Sequence, residues 1–242
     1  MIKLIDLHKS FGDQVVLHGL NLEIPKGKVT VILGPSGAGK TVILRHMIGL
    51  SKPDRGQVWL DDVEISALSE QALSRVRKRF GMLFQSGALF DSLTVEENVA
   101  FPLMEHTQLS REAVAKKVRE KLSLVGLQEA GAKLPAELSG GMRKRVGLAR
   151  AIALEPEIIL YDEPTTGLDP LMTETINQLI LDMQRQLAVT SVIISHDIES
   201  TFLVADRVAM LYQGRIVAEG TPQDLQRSPL PFVQEFLHRG KR

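Results

Sequence analysis

The fold of this chain is set by Gly34-Pro35-Ser36-Gly37-Ala38-Gly39-Lys40-Thr41. This segment matches the phosphate-loop pattern G-x-x-x-x-G-K-[ST] at every fixed position. It follows the apolar run Val29–Leu33, which is typical of a strand buried on both faces, and it precedes a predicted helix over residues 40–49. In that setting, glycine lets backbone N–H groups surround phosphate oxygens. We expect Lys40 to reach the β- and γ-phosphates of a nucleotide and the Thr41 hydroxyl to bind Mg²⁺.

Two adjacent acids end a second apolar strand, Ile158-Ile159-Leu160-Tyr161-Asp162-Glu163. Such a strand delivers them to the carboxyl edge of the sheet, where open α/β folds bind ligands. Alone, the pair is usually a solvated strand end. Beside a phosphate loop, Asp162 is expected to hold Mg²⁺ or its waters, and Glu163 to polarise the attacking water as a general base.

A second anion cradle is predicted at Leu138-Ser139-Gly140-Gly141-Met142, which follows a turn signal at Pro135 and begins a helical run. Glycines at a helix start leave N–H groups free to face an anion, and Ser139 can cap the helix or donate to a phosphate oxygen. A simple loop-to-helix cap is the alternative interpretation. Because one nucleotide does not need two cradles from one subunit, this one is expected to serve a nucleotide held by another chain.

Composition narrows the class of protein. The chain has 242 residues, of which 44% are hydrophobic and 24% charged, as in a globular protein. Lys+Arg and Asp+Glu both total 29, so nothing indicates an electrostatic grip on nucleic acid or anionic lipid. Cysteine is absent, which excludes disulfides and thiolate metal sites. Neither a signal peptide nor a membrane span is expected, so another chain would hold this protein at a membrane.

The order of predicted elements indicates one α/β domain over residues 1–242 with a helical insertion. Residues 1–85 are strand-rich and contain one strong helix, whereas residues 86–155 are helical. An amphipathic helix over 114–125, capped by Ser110, lies in this insertion. From residue 156 to 242, strands and helices alternate, which predicts a mainly parallel sheet covered by helices.

The three motifs, in this order and spacing, resemble the nucleotide-binding subunit of an ABC transporter along essentially the whole chain. The resemblance implies a P-loop NTPase (RecA-like) core, formed by residues 1–85 and 156–242, with an N-terminal antiparallel β subdomain. The α-helical subdomain inserted at 86–155 would carry the signature motif. It also implies Mg²⁺-dependent ATP hydrolysis by a head-to-tail homodimer. Each ATP would lie between the phosphate loop of one subunit and the Ser139-Gly140-Gly141 segment of the other.

Further site residues follow from the resemblance. Gln85 matches the glutamine that senses Mg²⁺ and water, and His196 matches the histidine that contacts the γ-phosphate. Asp169 matches the loop that crosses the dimer interface, and Phe11 matches the aromatic residue that stacks on adenine; a core or surface aromatic is the alternative there. The catalytic residues are therefore expected to be Glu163, His196, Lys40 and Gln85. The metal ligands are expected to be Thr41, Gln85 and Asp162. Nucleotide binding is assigned to Phe11, Gly34, Pro35, Ser36, Gly37, Ala38, Gly39, Lys40, Thr41, Ser139, Gly140, Gly141 and Asp169.

Met142 departs from the family pattern, which has glutamine at this place. Catalysis is expected to survive, since the phosphate contacts come from Ser139 and the glycine amides. A polar contact across the dimer interface is expected to be lost.

The segment Gln85-Ser86-Gly87-Ala88-Leu89-Phe90, together with Leu138–Met142, resembles the ATPase subunit of Mla-type phospholipid transporters. The resemblance implies peripheral attachment to the cytoplasmic face of a bacterial inner membrane through an integral-membrane permease. A periplasmic lipid-binding ring protein and a small regulatory subunit are the further expected partners. Ala88, Leu89 and Phe90 are then candidate permease anchors. The alternative is that they are merely apolar packing residues under a generic permease.

Other functions stay open at this stage. Within transporters, an importer of a polar solute such as an amino acid is the nearest alternative. A permease-coupled signalling ATPase of the cell-division regulator type is another. An ABC protein acting on DNA or ribosomes is disfavoured because the chain lacks a coiled-coil insertion and a second ATPase unit. The tail, residues 232–237, is predicted to be an amphipathic helix that packs on its own domain or on a partner subunit.

Overall fold

The computed structural model describes residues 1–239, and in this part of the chain ten strands form two sheets. The strands are β1 (Ile2–Phe11), β2 (Gln14–Ile24), β3 (Val29–Leu33), β4 (Arg55–Leu60), β5 (Val63–Glu64), β6 (Phe80–Leu83), β7 (Ile158–Asp162), β8 (Thr190–Ser195), β9 (Arg207–Tyr212) and β10 (Arg215–Gly220). The α-helices of the same residues are α1 (Lys40–Met47), α2 (Glu70–Arg77), α3 (Val95–His106), α4 (Arg111–Leu124), α5 (Gly140–Ala151), α6 (Pro170–Leu187), α7 (Ile198–Val204), α8 (Pro222–Gln226) and α9 (Pro231–Arg239).

The N-terminal sheet is antiparallel, with strand order β2-β1-β4-β5. Its apolar face packs on α1 in one buried cluster. Asp6 has a φ of 48°, and the pairing register of β1 shifts between Leu4 and Leu7. Strict alternation would put Leu4 and Leu7 on opposite faces, so this irregularity allows both to be buried.

The second sheet has strand order β10-β9-β3-β8-β7-β6. Its strands are parallel except for β10, which pairs antiparallel with β9 at one edge. Every residue of β3, β7 and β8 is buried, which explains their predominantly apolar sequences. Thr30 of β3 and Ser191 of β8 are buried polar exceptions. Because β3, β8 and β7 are neighbours, the segments that follow them meet at one edge of the sheet.

Helices α3, α4 and α5 form the helical insertion and share a buried cluster with the other face of the parallel sheet. Val114, Val118 and Leu122 are the buried stripe of α4, and Ser110 Oγ accepts a hydrogen bond from Ala113 N at 3.2 Å. The predicted α/β class, antiparallel subdomain and helical insertion are therefore confirmed. The boundaries of the insertion at residues 86 and 155 stay a prediction.

Several elements differ from the sequence-based expectation. The apolar stripe of residues 176–187 predicts a helix that begins at Thr173. Helix α6 begins earlier, at Pro170, because the Asp169 side chain caps it by accepting from Met172 N at 2.9 Å. The sequence predicts a first strand over residues 1–7, whereas β1 continues to Phe11. The sequence predicts no helix at α2, because its eight residues offer only a short apolar face, Leu73 and Val76.

The tail packs on its own chain. The ring of Phe232 in α9 stacks on Tyr212 of β9 at a centroid distance of 3.7 Å, and Val233 is fully buried in the same cluster. Phe232 also lines a cleft that includes Ser36 and His196, so α9 lies beside the phosphate loop. Across residues 1–239, no helix is both long enough and apolar enough to cross a membrane.

Candidate nucleotide-binding and catalytic site

The phosphate loop connects β3 to α1 and is shaped by its glycines. Gly39, the residue before α1, has a φ of 100°, and an added Cβ would lie 2.9 Å from a Val16 side-chain carbon. At Gly34, an added Cβ would lie 2.4 Å from the carbonyl oxygen of Leu211. Gly37 also has a positive φ, with open space around it. Only glycine allows the loop to pass this close to β9 while turning into the helix, and the free N-terminus of α1 favours an anion.

Lys40 is buried, and its ammonium group contacts the backbone of the phosphate loop that precedes it. Nζ donates to the carbonyl oxygens of Gly34 at 2.8 Å and Pro35 at 3.0 Å. It also lies 3.3 Å from Glu163 Oε1. The same cation therefore touches the phosphate loop and the carboxylate that follows β7, which suits a charge that bridges bound phosphate and the reaction centre.

Two hard oxygen ligands meet between α1 and β7. The Thr41 hydroxyl donates to Asp162 Oδ1 at 3.3 Å. Burial raises the pKa of Asp162, and the hydrogen bond from Thr41 opposes that rise. Mg²⁺ prefers one or two protein oxygen ligands together with waters and substrate phosphates, so these residues fit that ion. Gln85 is exposed just beyond β6, the sheet neighbour of β7.

Glu163 is held from several directions. Its Oε2 accepts from the Thr166 hydroxyl at 2.7 Å and lies 2.6 Å from His196 Nδ1. Its backbone N–H donates to the carbonyl of Ile194 in β8 at 3.1 Å. The backbone of Glu163 is left-handed, with a φ of 50°, an arrangement that is strained for a residue with a long side chain. A partly buried, oriented carboxylate at a strained position is typical of a reaction centre.

The Ser139-Gly140-Gly141 segment forms the start of α5. Ser139 is exposed and caps the helix by accepting from Met142 N at 3.2 Å. In residues 1–239 the Ser139 side chain makes no hydrogen bond or ion pair with the phosphate loop. An added Cβ on Gly141 would lie 3.0 Å from Met172 Sδ, and the Met142 side chain packs on the buried cluster of the insertion. Within this chain, the two predicted anion cradles are separate.

The remaining predicted residues lie on the surface. Phe11 is 51% exposed at the end of β1, with Lys9 Nζ 5.5 Å from its ring centroid, so it is not a core aromatic. Asp169 is exposed at the start of α6, in the loop that follows Gly167. An exposed ring is free to stack on a base.

A family model described as ABC transporter matches residues 17–166, more than half of the chain. The chain belongs to the ABC transporter family. It is an ATP-binding subunit of an ABC transporter, an ATPase in which ATP hydrolysis is coupled to transport. ABC cassettes of this kind form dimers and act in complexes with membrane partners.

Similar proteins cover nearly all of this ABC chain. The probable ribonucleotide transport ATP-binding protein mkl of Mycobacterium leprae is 45% identical over 98% of this chain and 68% of its own length. The intermembrane phospholipid transport system ATP-binding protein MlaF of Escherichia coli K12 is 44% identical over 98% of this chain and 88% of its own length. A solved dimer of the ATP-binding cassette MJ0796 bound to ADP and Pi superposes with a TM-score of 0.84 at 34% identity, covering 92% of this chain and 99% of that one.

One residue of this ABC ATPase site, Lys144 of α5, was not predicted. Its side chain is 4% exposed, and Nζ donates to the carbonyl oxygens of Pro164 and Thr166, both at 2.7 Å. Burial lowers the pKa of Lys144 to about 8, and the Glu163 carboxylate acts in the opposite direction. The sequence does indicate the helix face on which Lys144 lies, because Lys144 is three residues from Gly141 and four from Leu148.

Proposed function

We propose that this ATPase subunit energises the movement of phospholipid between the inner and outer membranes of a Gram-negative bacterium. It would act as a homodimer on the cytoplasmic face of the inner membrane, attached through an integral-membrane permease. A periplasmic lipid-binding ring protein and a small regulatory subunit are the further proposed partners, and no nucleic acid is involved. The match to MlaF along nearly the full length of both chains carries the proposal of the substrate.

The catalytic part of the proposal is carried by the contacts of the Glu163 carboxylate. Its Oε2 lies at hydrogen-bond distance from Thr166 and His196, which orients it as a general base. In the proposed reaction, Glu163 accepts a proton from water as the water oxygen attacks the γ-phosphorus. The bond from that phosphorus to the bridging oxygen breaks, and ADP leaves.

The other residues of the site bind and orient the reactants. Lys40 and the N–H groups of the phosphate loop would bind the β- and γ-phosphates, while Thr41 and Asp162 would hold Mg²⁺. When bound, that ion neutralises phosphate charge. Gln85 would contact the metal and the attacking water, and Phe11 would stack on adenine.

The second half of each site is proposed to come from the partner subunit. Ser139, Gly140 and Gly141 would contact the nucleotide held by the phosphate loop of the other chain, and Asp169 would cross the interface between them. The exposure of Ser139 and its separation from its own phosphate loop support this arrangement. ATP then favours the closed dimer because it contacts both subunits only in that state.

The permease is proposed to dock in a groove between the parallel sheet and the helical insertion. The groove is lined in part by apolar side chains from β6, the segment after it, and α3, namely Phe80, Met82, Phe84, Ala88, Phe90, Phe101 and Pro102. The Phe90 ring is 44% exposed and lies 4.8 Å from the Phe101 ring between centroids. Leu89 packs instead on the buried cluster of the insertion, so Phe90 is the better anchor.

The loop that carries Phe90 is fixed by Asn98 of α3. Asn98 is fully buried. Its Nδ2 donates to the Phe90 carbonyl at 3.1 Å, and its Oδ1 accepts from Phe90 N at 2.9 Å. Arg150 of α5 donates to the Gly87 carbonyl at 2.9 Å. The loop is therefore tied to both α3 and α5, which supports a role in transmitting motion between the permease and the ATPase.

Phe90→Asp is expected to uncouple the ATPase subunit from the permease, because it places a charge in an apolar groove that the partner would cover. Isolated ATPase activity should stay near wild type. Recovery of the permease in a pull-down is the measurement, with Met104→Asp as the control, since Met104 is 69% exposed on α3 but lies outside this groove. Wild-type recovery by the Phe90 variant would contradict this docking role.

Reconstitution of the complex with its co-purified permease tests the substrate. We expect ATP-dependent movement of labelled phospholipid between vesicle populations, abolished by Lys40→Ala. ATP-dependent ribonucleotide uptake is the second candidate, since mkl is equally similar in identity. Uptake of an amino acid would favour a polar-solute importer. Intact ATPase activity without movement of any of these would favour the signalling alternative and refute phospholipid transport.

A further inference from the structure

Lys144 is a buried cation whose three protons are all engaged. Nζ donates to the carbonyl oxygens of Pro164 and Thr166 at 2.7 Å and lies 3.4 Å from that of Glu163. An ammonium group has three donors and no acceptor, so these carbonyls match its full capacity. A buried charge is unfavourable unless it is satisfied in this way.

The carbonyls bound by Lys144 belong to the segment that sets the position of the Glu163 side chain. The N–H of Glu163 donates to the carbonyl of Ile194 in β8 at 3.1 Å. On the other side of the residue, Lys144 binds the carbonyl oxygens of Glu163 and Pro164. Between these two contacts the backbone is held at a φ of 50°, which an unrestrained residue of this type avoids. Lys144 also binds the carbonyl of Thr166, immediately before Gly167-Leu168-Asp169.

Lys144 stands on the helix that begins with Ser139-Gly140-Gly141. It follows Gly140 by four residues, roughly one helical turn. The N-terminus of α5 and the backbone of Glu163 are therefore joined by one turn of helix and one side chain. In the dimer, these two features serve different nucleotides, since Glu163 acts in its own subunit's site and the start of α5 contacts the nucleotide of the partner.

We propose that Lys144 is a positioning residue that couples the two ATP sites of the dimer. Lys144 ties the backbone of Glu163 in its own site to the N-terminus of α5, which contacts the nucleotide held by the partner subunit. This inference rests on the proposed function, which assigns Glu163 as general base and Ser139-Gly140-Gly141 as a contact in the opposite subunit. Hydrolysis at one site then depends on nucleotide at the other.

The test is Lys144→Met in the full chain, which removes the donors while keeping an unbranched side chain of similar length. We expect kcat to fall about tenfold, because a displaced general base loses part of its contribution to the rate. Binding of a fluorescent ATP analogue should change less than about twofold, and the Hill coefficient for ATP should fall towards 1. Lys144→Gln retains an amide donor and should lie between wild type and Lys144→Met in kcat and Hill coefficient.

Lys121→Met is the matched control. Lys121 is a lysine of α4 with 5% exposure, and its Nζ donates to Glu155 at 3.0 Å. It contacts no part of the segment from Glu163 to Thr166. Its replacement removes a comparably buried cation from the same insertion, so kcat and the Hill coefficient should stay near wild type.

Several results would overturn the proposal. A wild-type kcat in Lys144→Met would refute the positioning role. The coupling would be refuted if Lys144→Met kept the Hill coefficient of the wild type, or if the wild type itself had a Hill coefficient of 1. Parallel loss in Lys121→Met, or unfolding of both Lys144 variants while Lys121→Met folds, would leave Lys144 a purely structural lysine. Glu163→Gln in the same assay separates the proposed catalytic base from the proposed coupling. Rapid hydrolysis by Glu163→Gln refutes the base. If Glu163→Gln is inactive while Lys144→Met hydrolyses ATP at the wild-type rate, only the coupling is refuted.

Discussion

Glu163→Gln is expected to bind ATP like the wild type and to lose turnover by about 10²–10⁴-fold, the usual contribution of a general base. The amide is nearly the same size as the carboxylate, so the hydrogen bond from Thr166 and the contact with His196 can largely persist. The substitution removes the ability to accept a proton from water and leaves the phosphate loop unchanged. The chemical step should therefore fail while nucleotide binding survives.

The variant should also accumulate as a dimer in the presence of ATP, since closure is retained and hydrolysis no longer reverses it. Size-exclusion chromatography with and without ATP, alongside phosphate release, measures both effects. Glu157→Gln is the control, because Glu157 precedes the same strand but is exposed and paired with Arg79. Rapid phosphate release by Glu163→Gln would show that another group acts as the base.

Lys40→Ala and Ser139→Arg are expected to behave differently according to how they are distributed between the two chains of a mixed dimer. Lys40→Ala disables the site built on its own phosphate loop. Ser139→Arg places a bulky side chain where its own subunit contacts the nucleotide of the partner. With one lesion on each chain, both fall in the same site and the other site stays complete. With both lesions on one chain, each site is damaged.

ATPase activity that is measurable, but reduced by the loss of coupling expected of Lys144→Met, is thus expected from the dimer with one lesion on each chain. Close to none is expected from the dimer with both lesions on one chain. Subunits carrying different affinity tags and purified in two steps would give defined mixed dimers for this measurement. The geometry behind the expectation is the absence of any hydrogen bond or ion pair between the Ser139 side chain and the phosphate loop within residues 1–239. The opposite pattern of activities would show that the two cradles serve one site in the same subunit.

The sequence predicts the centre of this fold better than its edges. Strands β3, β7 and β8 are buried on both faces, so apolar residues dominate their sequences. The segments after them could therefore be assigned to one edge of the sheet. Helix α2 has eight residues, and its apolar face consists of Leu73 and Val76, which is too short a pattern to identify a helix from the sequence alone. The extension of β1 to Phe11 depends on pairing with β2, which local sequence does not encode.

The same limit applies within the site. Lys40, Thr41 and Asp162 could be predicted because a phosphate loop requires those residue types at those spacings. For Lys144, the spacing along α5 indicates only the helix face on which it lies. Its contacts could not be predicted, because its acceptors are backbone carbonyls about 20 residues further along the chain. Leu89 and Phe90 are adjacent apolar residues with the same apparent role, and only packing separates the half-buried one from the exposed one.

The left-handed backbone of Glu163 has a consequence for stability. Residues such as Gly, Asn and Asp adopt a positive φ more readily than Glu, so folding alone would favour replacing Glu163. The fold therefore holds glutamate at residue 163 against the conformational preference of its own backbone.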